Sequence, residues 1–184
     1  MGFALRAELP HYRYDDYCQW EGRWELIDGI PYAMAPAPSL RHQRLSLLLA
    51  SLLEEALDEC PHCQALQAVD WRIADDTVVQ PDNLVICHQP AQAAYLSEPP
   101  VLIAEILSPS TARKDRGLKK RIYEAQSVRW YLLLDGETRE ALLYELEEGV
   151  YGPPHHIRHL RADLGPCTID IDLDRLWRAK GIAA

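Results

Sequence analysis

A carboxylate interrupts an apolar run at residues 101–110, VLIAEILSPS, and a second one precedes another apolar run 23 residues earlier. These acids are Glu105 and Asp82. An apolar run of this kind is typical of a strand covered on both faces, where an unpaired ionised carboxylate costs several kcal/mol. Neighbouring antiparallel strands would place the two carboxylates side by side, and a shared divalent cation would neutralise them. The pair therefore predicts a Mg²⁺ site, with Mn²⁺ as a substitute.

Each acid also has an ordinary structural interpretation. Glu105 could pair with a buried arginine or lysine, and Asp82 could cap a turn after Pro81. A third residue favours the catalytic interpretation of the two acids over the structural one. Lys119 belongs to the helix predicted after the Glu105 strand, where its ammonium could orient a water and stabilise charge on a phosphate. The alternative for Lys119 is an exposed ion pair with Asp115, four residues away.

Periodic patterns predict the elements that would position these side chains. Alternation around Asp28-Gly29 predicts a hairpin of two strands at 23–34. Ser39 can cap a helix over about 40–59, whose leucines recur every three or four residues. Strands are predicted at TVV, NLVIC, VLIAEIL and VRWYLLLD, a second helix from Ser110 or Thr111 to about 126, and a short helix near DLDRLWRAK. This order predicts an α+β fold, a mixed sheet with helices packed on it.

The same residues resemble the PD-(D/E)XK nuclease superfamily and, within it, the Uma-two family of restriction-endonuclease-like proteins. The resemblance covers about residues 17–177. Its motifs occur in order as Glu25–Gly29, His42, Pro81–Asp82, Glu105–Thr111, Asp115, Lys119 and Tyr123.

The resemblance implies a restriction-endonuclease-like core, Mg²⁺-dependent phosphodiester hydrolysis, and Asp82 with Glu105 as metal ligands. Leu107 stands where the superfamily carries its lysine, so the resemblance implies that the lysine has moved to the helix as Lys119, with Lys120 as the neighbouring candidate. It also implies that Glu25 and His42 join the site. On the residues alone, Glu25 could equally face solvent from the hairpin, and His42 could be a partly exposed, hydrogen-bonded histidine.

The charge of the chain limits the kinds of partner that it can bind. The net charge of -9 argues against indiscriminate nucleic-acid binding, so a DNA partner would need a local patch, and residues 113–121 carry six basic side chains.

The odd number of cysteines, five, suggests reduced thiols and not a disulfide scaffold. The CPHC motif at 60–63 could be a redox pair or half of a zinc site, but an apolar helix runs into the motif from its N-terminal side, and no second motif completes four ligands.

These observations predict one domain over residues 1–184 and no membrane span. The opening MGFALRAELP lacks the apolar core of a signal peptide, so we expect a cytoplasmic protein. The leading function is a metal-dependent endonuclease acting on DNA. Paired sites usually cut both strands, so a homodimer is expected. The alternative is a non-catalytic nucleic-acid-binding or regulatory protein on a nuclease scaffold, which the net charge and Leu107 favour.

Overall fold

The computed structural model of the chain describes residues 10–34, 37–90 and 94–182, and the signal-peptide argument at residues 1–9 lies outside them. The helices are α1 (Tyr14–Tyr17), α2 (Leu40–Leu57), α3 (Ala112–Lys114), α4 (Lys120–Ala125) and α5 (Asp174–Arg178), with a π-helical turn at Asp115–Lys119. The strands are β1 (Trp24–Ile27), β2 (Ile30–Ala33), β3 (Gln64–Gln67), β4 (Trp71–Ala74), β5 (Thr77–Val79), β6 (Asn83–Ile86), β7 (Leu102–Leu107), β8 (Trp130–Asp135), β9 (Glu140–Glu147), β10 (Val150–Tyr151), β11 (His155–His156), β12 (His159–Asp163) and β13 (Thr168–Asp172).

The predicted N-terminal hairpin forms from β1 and β2. Asp28 and Gly29 make its turn with φ of 50° and 74°, the left-handed values that this turn pair adopts readily. A Cβ at Gly29 would also run into the imidazole of His11. The hairpin joins a small sheet in the order β2-β1-β5-β4. The predicted hairpin is confirmed, and it delivers Glu25 to the site.

Helix α2 begins and ends within two residues of its predicted bounds. Ser39 caps it as expected, because its Oγ accepts a hydrogen bond of 3.2 Å from the backbone N–H of His42. The buried face carries leucines at helical spacing, including Leu45, Leu49 and Leu53. These leucines cover one face of the larger sheet.

The larger sheet runs in the order β10-β9-β8-β7-β6-β3, with β11 also paired to β9. Strands β7 and β8 are parallel and the other neighbours are antiparallel, which confirms the mixed sheet. Alternate residues of β7 enter two different cores. Leu102, Ala104 and Ile106 pack under α2, whereas Ile103 packs with Tyr123 on the opposite face. Glu105 shares the parity of Ile103, so it faces the side covered by α4.

The second predicted helix is interrupted. The prediction was one helix to about residue 126, but the chain instead forms α3, a π-helical turn and then α4. The side chain of Thr111 does not cap the first turn. A π-turn is rare, and it often marks a functional position.

The cysteine prediction is wrong. Cys60 bonds to Cys167 and Cys63 bonds to Cys87, with Cα–Cα distances of 6.0 and 4.0 Å, and exposed Cys18 is the free thiol. Cys63 and Cys87 lie one position beyond the β3–β6 ladder, so the register of the sheet brings them together. The CPHC motif thus supplies one cysteine to each of two disulfides and is neither a redox pair nor half of a zinc site.

Two features complete the architecture. The hairpin β12–β13 and helix α5 pack against the α2 side of the core through residues such as Leu160, Ile171 and Leu176. Within the ranges described above, no helix combines the length and the apolar character that a membrane crossing requires.

Candidate active site

Asp82 and Glu105 lie side by side, as their spacing predicts. Strands β6 and β7 are antiparallel neighbours with Asn83 opposite Ala104. Asp82 Oδ2 accepts a hydrogen bond of 2.9 Å from the backbone N–H of Ile106, and Glu105 Oε2 accepts a longer one of 3.4 Å from the N–H of Asp82. Each carboxylate is therefore fixed by the backbone next to the other.

Lys119 lies between Glu105 and the hairpin. Its Nζ is 2.8 Å from Oε1 of Glu105 and 2.8 Å from Oε1 of Glu25, and it is 4.0 Å from Oδ1 of Asp115. The side chain of Lys119 is 3% exposed, so it is not the solvent-exposed partner of Asp115. Glu105 does pair with a buried lysine, as the ordinary interpretation held, while remaining adjacent to Asp82.

Glu25 is fully buried and does not face solvent. Lys114 Nζ approaches its Oε2 at 2.5 Å, and the backbone N–H of Gln80 donates to its Oε1 at 3.0 Å. Lys114 and Lys119 thus hold opposite oxygens of one carboxylate. Residues five apart point in different directions from an α-helix, whereas a π-turn hydrogen-bonds residue i to i+5 and nearly aligns them. The π-turn explains how both lysines reach Glu25.

Tyrosines close the inner side of the site. Tyr123 donates a hydrogen bond of 2.6 Å to Oε1 of Glu105, and its ring meets that of Tyr131 edge-on at 5.1 Å. Tyr131 donates in turn to the backbone oxygen of Asp115 at 2.9 Å. Tyr123 stands in the motif string, but its hydrogen bond to Glu105 was not predicted. Its spacing of four residues from Lys119 is the signal that could have suggested it.

His42 reaches the site from the first turn of α2. Its Nε2 is 3.1 Å from Oδ2 of Asp82, and the histidine is largely buried. The same Asp82 oxygen accepts the N–H of Ile106, which leaves Oδ1 of Asp82 without a hydrogen-bond partner in the described part of the chain. The structure therefore brings together all five predicted site residues, and their catalytic roles stay predictions.

The site holds more negative than positive charge. Four carboxylates meet two ammonium groups, those of Lys114 and Lys119. We call the four acids the acidic cluster; they are Glu25, Asp82, Glu105 and Asp115.

The pKa values within the cluster shift in different directions, because burial and neighbouring acids oppose the nearby cations. Burial raises the pKa of Glu105, and Lys119 lowers it by a smaller amount than burial raises it. The nearby acids raise it further, so the pKa of Glu105 lies well above its ordinary value. For Glu25, burial is outweighed by Lys119 and Lys114, and the pKa is lowered. For Asp82, burial is outweighed by His42 and Lys119, and its pKa is also lowered.

The basic segment at 113–121 does not form the expected patch as a whole. Lys114 and Lys119 point into the site, and the ammonium of Lys120 lies 5.1 Å from the ring of Tyr144 and 3.8 Å from Glu124. Lys120 therefore does not contact the acidic cluster, and Lys119 is the lysine at the site. Arg113 and Arg121 remain exposed.

The donor set fits one hard cation, although the fit is partial. Among the described residues, no three His, Cys, Asp or Glu side chains converge as a metal-binding group. Mg²⁺, however, is commonly held by one or two carboxylates together with waters and phosphate oxygens. Asp82 and Glu105 supply two adjacent carboxylates within a cluster that has surplus negative charge, and one oxygen of Asp82 accepts no hydrogen bond from the described residues.

The mixed sheet with its flanking helices places the chain in the restriction-endonuclease-like fold class. A putative nuclease of the DUF820 family from Anabaena variabilis ATCC 29413 has a similar structure, with a TM-score of 0.73 at 13% sequence identity over 90% of this chain and 97% of that one. The chain belongs to the Uma2 family, described as a putative restriction endonuclease, whose match covers residues 13–164. The predicted fold and family are confirmed.

A protein of known sequence from a cyanobacterium is also similar to most of the chain. An uncharacterized protein of Synechocystis sp. (strain ATCC 27184 / PCC 6803 / Kazusa) is 31% identical over 154 residues, which is 75% of this chain and 76% of the relative.

Proposed function

We propose that the chain is a Mg²⁺-dependent endonuclease that hydrolyses phosphodiester bonds of DNA. The observation that carries the proposal is the adjacent pair Asp82 and Glu105, with the buried Lys119 ammonium 2.8 Å from Glu105. Membership of the Uma2 family supports the nuclease class. Metal dependence and DNA as substrate are our inferences from the carboxylates and the fold.

The proposed roles follow from the contacts. Asp82 and Glu105 would hold the metal, which supplies Lewis-acid activation of the phosphate and a more acidic water when bound. His42 and the N–H of Ile106 fix Asp82, while Tyr123 fixes Glu105. Water attacks phosphorus, the bond to the leaving sugar oxygen breaks, and a phosphomonoester and an alcohol result.

Lys119 has two tasks in this proposal. Its ammonium compensates the negative charges of Glu25 and Glu105 before substrate binds, which stabilises the buried acidic cluster. Near the scissile phosphate, the same charge would orient the water and stabilise the negative charge that develops on the phosphoryl oxygens. Glu25 is a positioning residue, because it holds Lys119 and Lys114 and has no exposed surface.

Cleavage of supercoiled plasmid and of labelled oligonucleotides tests the proposal. We expect cleavage with Mg²⁺ or Mn²⁺ and none with EDTA. Asp82→Ala and Glu105→Gln should each lower the rate by at least about 100-fold, since each removes a charged group from the transition state. Glu55→Gln, which alters an exposed carboxylate paired with Arg175, is the matched control and should retain activity. Full activity in both site variants would refute the assignment.

The alternative is a non-catalytic nucleic-acid-binding or regulatory protein on the nuclease scaffold. The net charge of -9 and the Lys119–Glu105 ion pair favour it, because the pair partly neutralises Glu105 without a metal. Calorimetric titration with Mn²⁺ separates the two functions. The endonuclease should release or absorb heat that Glu105→Gln abolishes, whereas the non-catalytic protein should show no heat that depends on Glu105.

Three expectations from the sequence stay predictions alongside this proposal. They are a single domain over residues 1–184, a cytoplasmic location and a homodimer in which two sites cut opposite strands. Sedimentation of the protein with and without duplex DNA tests the homodimer.

A further inference from the structure

A cavity of about 310 Å³ lies beside the candidate active site. Four aromatic residues line it, together with polar residues that include Asp70 and Gln80; the aromatic residues are Tyr14, Tyr17, Trp20 and Trp24. We propose that this cavity, which we call the aromatic cavity, holds one unpaired base of a nucleic-acid strand whose backbone enters the active site. The proposal rests on the proposed nuclease function and adds a substrate feature, an unstacked nucleotide.

Hydrogen bonds and a cation hold three of the aromatic walls in place. Tyr17 donates to Oδ2 of Asp70 at 2.9 Å, and Trp24 Nε1 donates to the backbone oxygen of Glu21 at 2.8 Å. The guanidinium of Arg72 lies 4.0 Å from the centre of the Tyr14 ring. The walls are therefore set before any ligand binds, which lowers the entropy cost of binding.

Trp20 is held differently from the other walls. Its ring contacts those of Tyr12, Tyr17 and Trp24 at 5.3, 5.7 and 5.5 Å, with interplanar angles of 82°, 67° and 59°. Rings that meet at such angles are not stacked face to face on each other. The half-buried indole of Trp20 is therefore the best candidate in the cavity for stacking on a base, because every base presents a π-face.

Two short chain segments connect the lining of the aromatic cavity to the acidic cluster. Trp24 directly precedes Glu25 in β1, so their side chains point to opposite faces of the strand, and Gln80 lies two residues before Asp82. Gln80 connects the two regions itself, since its backbone N–H donates to Glu25 while its side-chain amide donates to Oδ1 of Asp70 at 2.8 Å. Gln80 is therefore the residue at which a strand bound at Asp82 would approach the cavity.

The lining of the aromatic cavity includes one cation, Arg23, and one carboxylate, Asp70, which accepts hydrogen bonds from Tyr17 and Gln80. Arg23 is exposed, and its Nε donates to Oε1 of Gln80 at 2.8 Å. A guanidinium in this position can also meet a backbone phosphate, because it keeps further N–H donors. Aromatic walls with a cation at the rim are the combination by which proteins bind single strands. In a duplex, each base is stacked between its neighbours, so its π-face is not available to an aromatic side chain. We therefore expect the cavity to bind an unpaired base.

The test measures binding by fluorescence anisotropy in EDTA, where no cleavage occurs. The probes are a labelled single-stranded oligonucleotide, a duplex of the same sequence and a single strand of the same length with abasic sites. Wild-type protein should bind the natural single strand roughly 5- to 100-fold more tightly than the abasic strand, the range expected for one base–aromatic stack. Equal affinity for the natural and abasic strands would overturn the proposal without any variant.

Variants locate the effect. Trp20→Ala should weaken single-strand binding by the same roughly 5- to 100-fold factor and leave duplex binding unchanged, whereas Trp20→Phe should retain most of it. Trp177→Ala, an aromatic control in a separate cavity beside α5, should bind as wild type does. Unchanged single-strand affinity in folded Trp20→Ala would contradict the proposal.

The result is separable from the fate of the nuclease assignment. If Glu105→Gln and the wild type both fail to cleave, but both prefer the natural strand over the abasic strand, the nuclease function falls and the cavity stands. If the wild type cleaves but shows no such preference, only the cavity proposal falls.

Discussion

Glu105→Gln and Lys119→Met should change stability in opposite directions, although they remove the two partners of one ion pair. The acidic cluster has two more carboxylates than there are lysines beside it. Removing the Glu105 charge reduces this surplus, and Lys119 keeps Glu25 at 2.8 Å. Removing the Lys119 charge enlarges the surplus and leaves Glu105 and Glu25 without their shared cation.

The magnitudes follow from burial. Glu105 and Lys119 are 2% and 3% exposed, so solvent compensates little. Loss of one partner from a buried ion pair costs about 3–5 kcal/mol, and we expect this for Lys119→Met. For a chain of this size that corresponds to a melting temperature lower by roughly 6–20 °C. Glu105→Gln keeps an acceptor for Tyr123 and should range from neutral to about 2 kcal/mol more stable near pH 8.

The effect of Glu105→Gln depends on pH. Burial and neighbouring acids raise the pKa of Glu105 in the folded protein. When the pH lies between the ordinary pKa of a glutamate and this raised pKa, Glu105 keeps its proton in the folded protein but loses it in the unfolded chain. Stability of the wild type therefore falls as pH rises through this window. Glu105→Gln lacks that fall, so its advantage should grow as pH rises above the ordinary pKa of a glutamate.

Urea denaturation at several pH values, without divalent ions, measures both variants. Equal destabilisation by Glu105→Gln and Lys119→Met at every pH would refute the reasoning, because it would show that Glu105 is a net stabilising partner and that the negative surplus has no energetic effect.

Three further perturbations test the surroundings of the site. His42→Ala should cost about 1–3 kcal/mol near pH 7. Because the pKa of Asp82 is lowered, the stability that this carboxylate contributes is lost as pH falls, and denaturation should show the deficit shrinking in acid. Cys167→Ser opens a disulfide to Cys60 that spans 107 residues, so a loss of roughly 4–5 kcal/mol is expected by calorimetry, and an unchanged melting temperature would contradict the bond. Gly29→Ala strains a turn with φ of 74° and should destabilise by at least about 1 kcal/mol in urea titrations, whereas Gly149→Ala, with positive φ but open space, should cost less.

Local signals explain which parts of the fold were predictable. The Asp28-Gly29 turn and the cap at Ser39 are decided by residues within one turn of each other, so the sequence contains the information directly. Strand β7 was predictable because it is apolar on both faces, and β6 was expected beside it because the two strands follow one another along the chain. The acid in β7 then implied a compensating partner.

Long-range geometry explains what was missed. Nothing local marks the π-turn, which is seen only when Lys114 and Lys119 both meet Glu25, about 90 residues away in the chain. The two disulfides likewise depend on the position of β12–β13 against α2 and on the β3–β6 register. The aromatic cavity combines α1, β1 and the segment around Asp70, and no periodic pattern connects these segments.

The geometry also accounts for a lysine on a helix in place of one on the strand. Residues 105 and 107 share one face of β7, and that face is covered by the π-turn and α4. A helical lysine above this face can therefore approach Glu105 from the side that a lysine at position 107 would use. Leu107 packs with the apolar residues on that face instead. The π-turn then has a second consequence, because it lets one lysine compensate Glu105 and Glu25 together, which a strand lysine fixed beside Glu105 would do less readily.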